Sequence, residues 1–138
     1  MDSDRGARIE GAAAQAASVK GPVPKVPRSA FFSIATERVG AHPCVRLHGE
    51  LDMLHEGDIR DALLELEKDG PAKLIVDLSG LSFIDSTGLR VLLEADARAR
   101  EGGWELVLAK GAQELPKVFT ITMLDKRLTF VDDPSEVD

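Results

Sequence analysis

Between Phe32 and Leu51 the chain alternates apolar and polar residues. In "FFSIATER", Phe32 and Ile34 alternate with polar residues, and Val45 and Leu47 repeat the pattern in "CVRLHGELD". A period of two marks half-buried strands, and the intervening "VGAHP" supplies a turn, so the pair is predicted to form a hairpin. The period then changes. In "EGDIRDALLELEKDG", Ile59, Ala62, Leu63 and Leu66 stand at i, i+3, i+4 and i+7, which gathers them on one helical face. Gly70-Pro71 ends that helix, because glycine accepts the left-handed cap and proline cannot continue. "KLIVDL" is a short unbroken apolar run, the pattern of a strand covered on both sides. A short loop should lead from it to a helix with Leu89, Leu92 and Leu93 inward, closed by Gly102-Gly103. "WELVLA" reads as a further buried strand. "AQELPKVFTITML" reads as a third helix with Leu115, Val118 and Phe119 inward, provided Pro116 lies in its first turn. "LTFV" is a last strand, and the acidic "DDPSEVD" is predicted to be a frayed end.

The order is strand, strand, helix, strand, helix, strand, helix, strand. Such alternation predicts an α/β fold: a mixed, mostly parallel sheet of about five strands with helices packed against it. Residues 31–132 hold all of this periodicity and are expected to be the folded domain. Residues 1–30 are Ala-, Pro- and Gly-rich, with almost no large apolar side chains, and are expected to be a disordered tail. Residues 133–138 form the acidic end.

Charge narrows the partners. Of the charged residues, those after position 30 comprise twelve Lys or Arg against twenty-one Asp or Glu, a net of −9. A body this acidic is repelled by phosphate backbones, so direct nucleic-acid binding is not expected. No apolar run approaches the roughly 20 residues of a spanning helix, so no membrane insertion is expected. The beginning lacks the pattern of a secretory signal, which makes the cytoplasm the default location. The lone Cys44 has no disulfide partner and no neighbours at metal-ligand spacing.

The chemistry centres on "DLSGLSFIDSTGL". A serine at a helix entrance is a common N-cap, since its oxygen accepts an unsatisfied backbone N–H. Asp85 could cap equally well. Gly88 in the first turn costs about 1 kcal/mol against alanine, so the backbone there needs glycine or is closely approached. A helix start also favours an anion, so a phosphate on Ser86 would be tolerated. Taken alone, these residues favour the cap. Enzymatic readings fare worse. "DSTGL" lacks the glycine two residues before the serine that a nucleophile elbow requires. His42, His48 and His55 are irregularly spaced for zinc, and no metal or cofactor is expected. Asp77 has no acidic pair after the first strand of the kind a phospho-accepting receiver would need.

"GELDMLHEGDIRDAL", "LIVDLSGLSFIDSTGLRVLL" and "VFTITMLDKRLTFV", in this order, resemble a STAS domain, and more narrowly the bacterial anti-sigma-factor antagonists. The resemblance spans about residues 31–132. It implies a partner switch: the unphosphorylated form binds an anti-sigma factor that is also a serine kinase, and so frees the sigma factor. The kinase phosphorylates the serine that corresponds to Ser86, and a metal-dependent serine phosphatase resets it. Asp52, Asp85, Ser86, Thr87 and Gly88 correspond to the partner surface. Met53 and Leu54 are expected to be structural. Three positions depart from the family pattern: His55 in place of a capping threonine, Gly57 in place of proline, and Met123 in place of a glycine ending the third helix. The rival reading is a structural STAS subunit of a signalling assembly or a membrane transport system. An enzyme such as a hydrolase lacks a catalytic set.

Overall fold

The structure, a computed structural model, describes residues 32–112 and 114–138. The expected tail, residues 1–30, lies outside the described residues. β1 (Phe32–Val39) and β2 (His42–Leu51) form the antiparallel hairpin. They are followed by α1 (Glu56–Glu67), β3 (Lys73–Ile84), α2 (Ser86–Gly102), β4 (Glu105–Ala109), α3 (Lys117–Ile121) and β5 (Thr129–Val131). β2 to β5 are parallel to one another, and the order across the sheet repeats the order in the chain.

That strand order fixes where the core lies. Right-handed crossovers that all step in one direction deliver their helices to one face. The main core accordingly joins Val45, Leu47, Leu74, Val76, Leu106 and Leu108 from the strands to Ile59 and Leu63 of α1, Leu89 and Leu92 of α2, and Phe119 of α3. Alternate residues turn the other way. Cys44, Ile75 and Ala109 form a smaller cluster on the opposite face, against Val39, Val131 and Val137.

Three expectations need correction. The end is not frayed. Asp133 caps a 3-10 turn at Pro134–Glu136, Pro134 is buried, and Val137 covers the second cluster. Lys110 Nζ reaches Asp132 Oδ1 at 2.7 Å, and the Gly111 N–H donates to the Asp132 carbonyl at 2.8 Å. Acidic composition hid one valine and one proline with apolar work to do. Secondly, β3 does not stop at "KLIVDL" but runs to Ile84, and no loop precedes Asp85. Its register against β2 shifts twice, so extra residues are absorbed inside the strand. Thirdly, α3 is five residues long. Pro116 stands before it with φ −54° and ψ 141°, extended backbone that leaves Leu115 outside the helix. Beyond α3, Met123 has φ 63°, the left-handed region that glycine enters at little cost. This is the position at which the resemblance leads one to expect glycine.

Candidate functional site: the carboxyl edge of β2 and β3

β2 and β3 end side by side. Leu51 lies opposite Ile84, and the Asp85 N–H donates to the Leu51 carbonyl at 3.2 Å. Asp52 and Asp85, each the first residue past its strand, therefore emerge at one edge. Both then act as caps from extended backbone. Asp52 Oδ1 accepts the Leu54 N–H at 3.0 Å and opens a 3-10 turn at Met53–His55. Asp85 Oδ1 accepts the Gly88 N–H at 3.0 Å and opens α2. α1 itself starts on His55, which makes no side-chain capping bond, so the departure from threonine leaves its entry to the turn before it.

The side-chain cap of α2 is therefore Asp85 and not Ser86. Ser86 is the first helical residue, exposed, and its hydroxyl bonds to no other described residue. Thr87 is half-buried. Gly88 is buried, and a Cβ there would stand 2.8 Å from Ile84 Cγ1 and 2.9 Å from Leu51 Cγ. The close approach inferred at this glycine is thus made by the two strand ends. Gly88 serves the edge from within, by letting α2 sit down on them.

Met53 and Leu54 are not structural. They are 66% and 67% exposed, and the turn that carries them buries nothing. Leu51 and Ile59 already fill the core positions on either side. Phe83, on the strand just before the edge, is 40% exposed. The edge therefore combines two aspartates, a hydroxyl and uncovered apolar side chains. The sequence signal for Met53 and Leu54 was present: adjacent residues inside a capped turn point in different directions and cannot both reach one core.

An ion-pair ladder ties the two helix starts together. Glu56, the first residue of α1, accepts from Arg60 Nη2 at 2.7 Å and from Arg90 Nη2 at 2.9 Å. These hydrogen bonds, Arg60's foremost, hold the Glu56 carboxyl below its ordinary range. Arg60 also donates to Glu94 Oε1, and further along Arg98 grips Glu67 with two bonds of 2.8 Å. The Glu56–Arg60 pair is local, four residues apart, but the partners that join the two helices lie some thirty residues apart and leave no local pattern.

The remaining polar candidates are scattered. His42 Nε2 lies 2.6 Å from the Asp138 carbonyl, His48 is exposed on β2, and the His55 ring packs against Phe32 with centroids 4.5 Å apart. Asp77 is inside β3, not at its end. It is buried, and it accepts from Arg46 Nη1 at 3.1 Å and from the Ser79 N–H at 2.9 Å. Arg46 also pairs with Glu37. Those bonds give Asp77 a structural occupation.

A family model described as "Mlab, STAS domain" matches residues 34–132. The chain belongs to the STAS-domain family. Among curated relatives, the anti-sigma-B factor antagonist of Staphylococcus aureus (strain NCTC 8325 / PS 47) is 29% identical over 94 residues, which span 68% of this chain and 86% of the relative. An anti-sigma factor antagonist from Mycobacterium paratuberculosis shares the STAS fold with a TM-score of 0.64 and 24% identity, over 76% of this chain and 89% of that one. The Bacillus cell fate determinant SpoIIAA, solved in its phosphorylated form, does so with a TM-score of 0.56 and 24% identity, over 72% and 91%. Among the described residues of this STAS chain, no helix is long and apolar enough to cross a membrane.

Proposed function

We propose that this STAS domain is an anti-sigma-factor antagonist that works by partner switching at Ser86. In the unmodified state it binds an anti-sigma factor with serine kinase activity and so frees the sigma factor. Phosphorylation of Ser86 reverses this, and a serine phosphatase restores it. The protein acts as a binding module and not as a catalyst. One observation carries the reading: Asp85 takes the capping role, which leaves the Ser86 hydroxyl exposed and uncommitted. The relatives named as antagonists support it, as does the structural neighbour solved in a phosphorylated form.

The switch acts by exclusion and not by refolding. A phosphoserine carries about −1.5 to −2 charge at neutral pH. The free N–H groups at the start of α2 receive that charge favourably, so the fold survives. A partner surface fitted to a neutral hydroxyl does not. A partner carboxylate about 6 Å away would cost roughly 3 kcal/mol per unit charge at an effective dielectric of 20. That is a loss of roughly 150-fold in affinity before desolvation is added. Asp52, Asp85 and Thr87 flank Ser86 on the contact surface.

Incubation with the kinase and ATP, followed by mass spectrometry, should place phosphate on Ser86 and not on Thr87. A pull-down should retain the kinase with wild type and with Ser86→Ala, and lose it with Ser86→Asp. Asp52→Ala should weaken that binding more than it lowers stability. Amide spectra of the phosphorylated protein should change chiefly from Asp85 to Leu89, with the strands unmoved. Phosphate only on Thr87, or equal retention of all variants, would overturn the switch. A large stable assembly on gel filtration would favour the structural-subunit reading instead.

A further inference from the structure

Arg90 stands one helical turn after Ser86. Its side chain is 58% exposed and its guanidinium is engaged on one side, with Nη2 on Glu56 at 2.9 Å and Nε 4.0 Å from Glu94. An acid followed four residues later by a base is the favourable order on a helix. Both carboxylates that Arg90 touches have another cation. Glu56 keeps Arg60 at 2.7 Å, and Glu94 keeps the same guanidinium at 2.9 Å. Releasing Arg90 would therefore leave neither acid without a partner.

The two helix entrances carry Asp52, His55, Glu56, Asp58 and Asp85, with Glu94 two turns further along α2, against Arg60 and Arg90. A phosphate would bring further negative charge to an edge that is already acidic, and it would sit beside the Asp85 carboxylate. It needs a cation. Arg60 is held by Glu56 on its own helix and by two bonds to Glu94 across the α1–α2 seam, whereas Arg90, the more exposed of the two, is anchored by one short bond and has room to turn. A phosphoserine offers nearly twice the charge of a carboxylate and three acceptor oxygens, in the geometry that a guanidinium fork fits.

Resting on the phosphorylation of Ser86 proposed above, we propose that Arg90 receives the phosphate, giving up Glu56 for it. Modification then does two things. It places charge on the contact surface, and it unties the start of α2 from the start of α1, next to the turn that presents Met53 and Leu54. No backbone rearrangement is required, because only side-chain partners are exchanged.

The test installs phosphoserine at position 86 by translation in the full chain, so no kinase is needed. Phosphorus NMR then follows the second ionisation of the phosphate, which lies near pH 6 when unperturbed. Arg90→Gln should raise that midpoint by about half a pH unit relative to wild type, a three-fold gain in proton affinity. Arg90→Lys should fall between, since it keeps the charge and loses the fork. Glu56→Gln should lower the midpoint by freeing Arg90. Identical midpoints in folded wild type, Arg90→Gln and Glu56→Gln would overturn the role of Arg90. Should kinase binding still be lost on phosphorylation in that case, the switch stands without this residue. An Arg90-dependent midpoint with unaltered kinase binding would uphold the phosphate pairing and overturn the switch.

Discussion

A methyl group at position 88 has nowhere to go. Alanine would favour α2 by about 1 kcal/mol in helix propensity. Its Cβ, however, would meet Ile84 at 2.8 Å and Leu51 at 2.9 Å, both buried in the main core. Overpacking of this kind costs about 1–3 kcal/mol, so the clash should win. Gly88→Ala is expected to lower unfolding stability by about 1–2 kcal/mol in urea titrations; a gain would mean that α2 can ride outward freely. Cys44 offers a second residue-scale test. Burial first, and the Asp77 charge second, push its thiol from 9.0 up to about 11. The thiol of the unfolded chain ionises earlier as pH rises, so its contribution is complete below about pH 9 and is lost by about pH 11. In the native protein at pH 8, a thiol-specific disulfide reagent should react only as fast as the chain opens. Prompt labelling there would contradict the burial.

At the scale of elements, legibility followed the source of each signal. The hairpin, α1, α2 and β4 were readable because their apolar period is carried by side chains that reach one core. α3 was overextended because "VFTITML" continues to look apolar past Ile121, although Pro116 holds the chain extended before it and Met123 turns left-handed after it. At the candidate site, the sequence brought Asp52, Asp85 and Ser86 forward, while only backbone angles and bonds could decide which residue caps. Met53 and Leu54 are legible as adjacent residues of one short turn, whereas the Glu56–Arg90 tie depends on three-dimensional proximity that no local period encodes. In the last segment the composition and the contacts diverge: acidic residues dominate its sequence, while Pro134 and Val137 make its apolar contacts. Removal of residues 133–138 should therefore uncover the Cys44, Ile75 and Ala109 cluster. We expect a loss of about 2 kcal/mol, the scale of one buried apolar side chain, together with faster thiol labelling of Cys44. Unchanged stability would return the segment to the status of a loose end.

For the whole molecule, the contrasting expectation concerns the other end. Residues 1–30 have few large apolar side chains in their sequence, so a chain beginning near Arg28 is expected to unfold at the same temperature as the full one, within the scatter of repeat measurements. A clear loss would show that the segment packs on the domain. The sheet itself bears on how the molecule is made. Because strand order repeats chain order, each new strand emerging from the ribosome finds its neighbour already in place, and no gap in the sheet must wait for a later insertion. Pairings stay between successive elements, which shortens the loops that must close before contacts form. The edge bearing Asp52 and Ser86 draws only on β2, β3 and the helices that follow them. It can take shape while β4 and β5 are still being synthesised, so a nascent chain could present the Ser86 hydroxyl before the fold is finished.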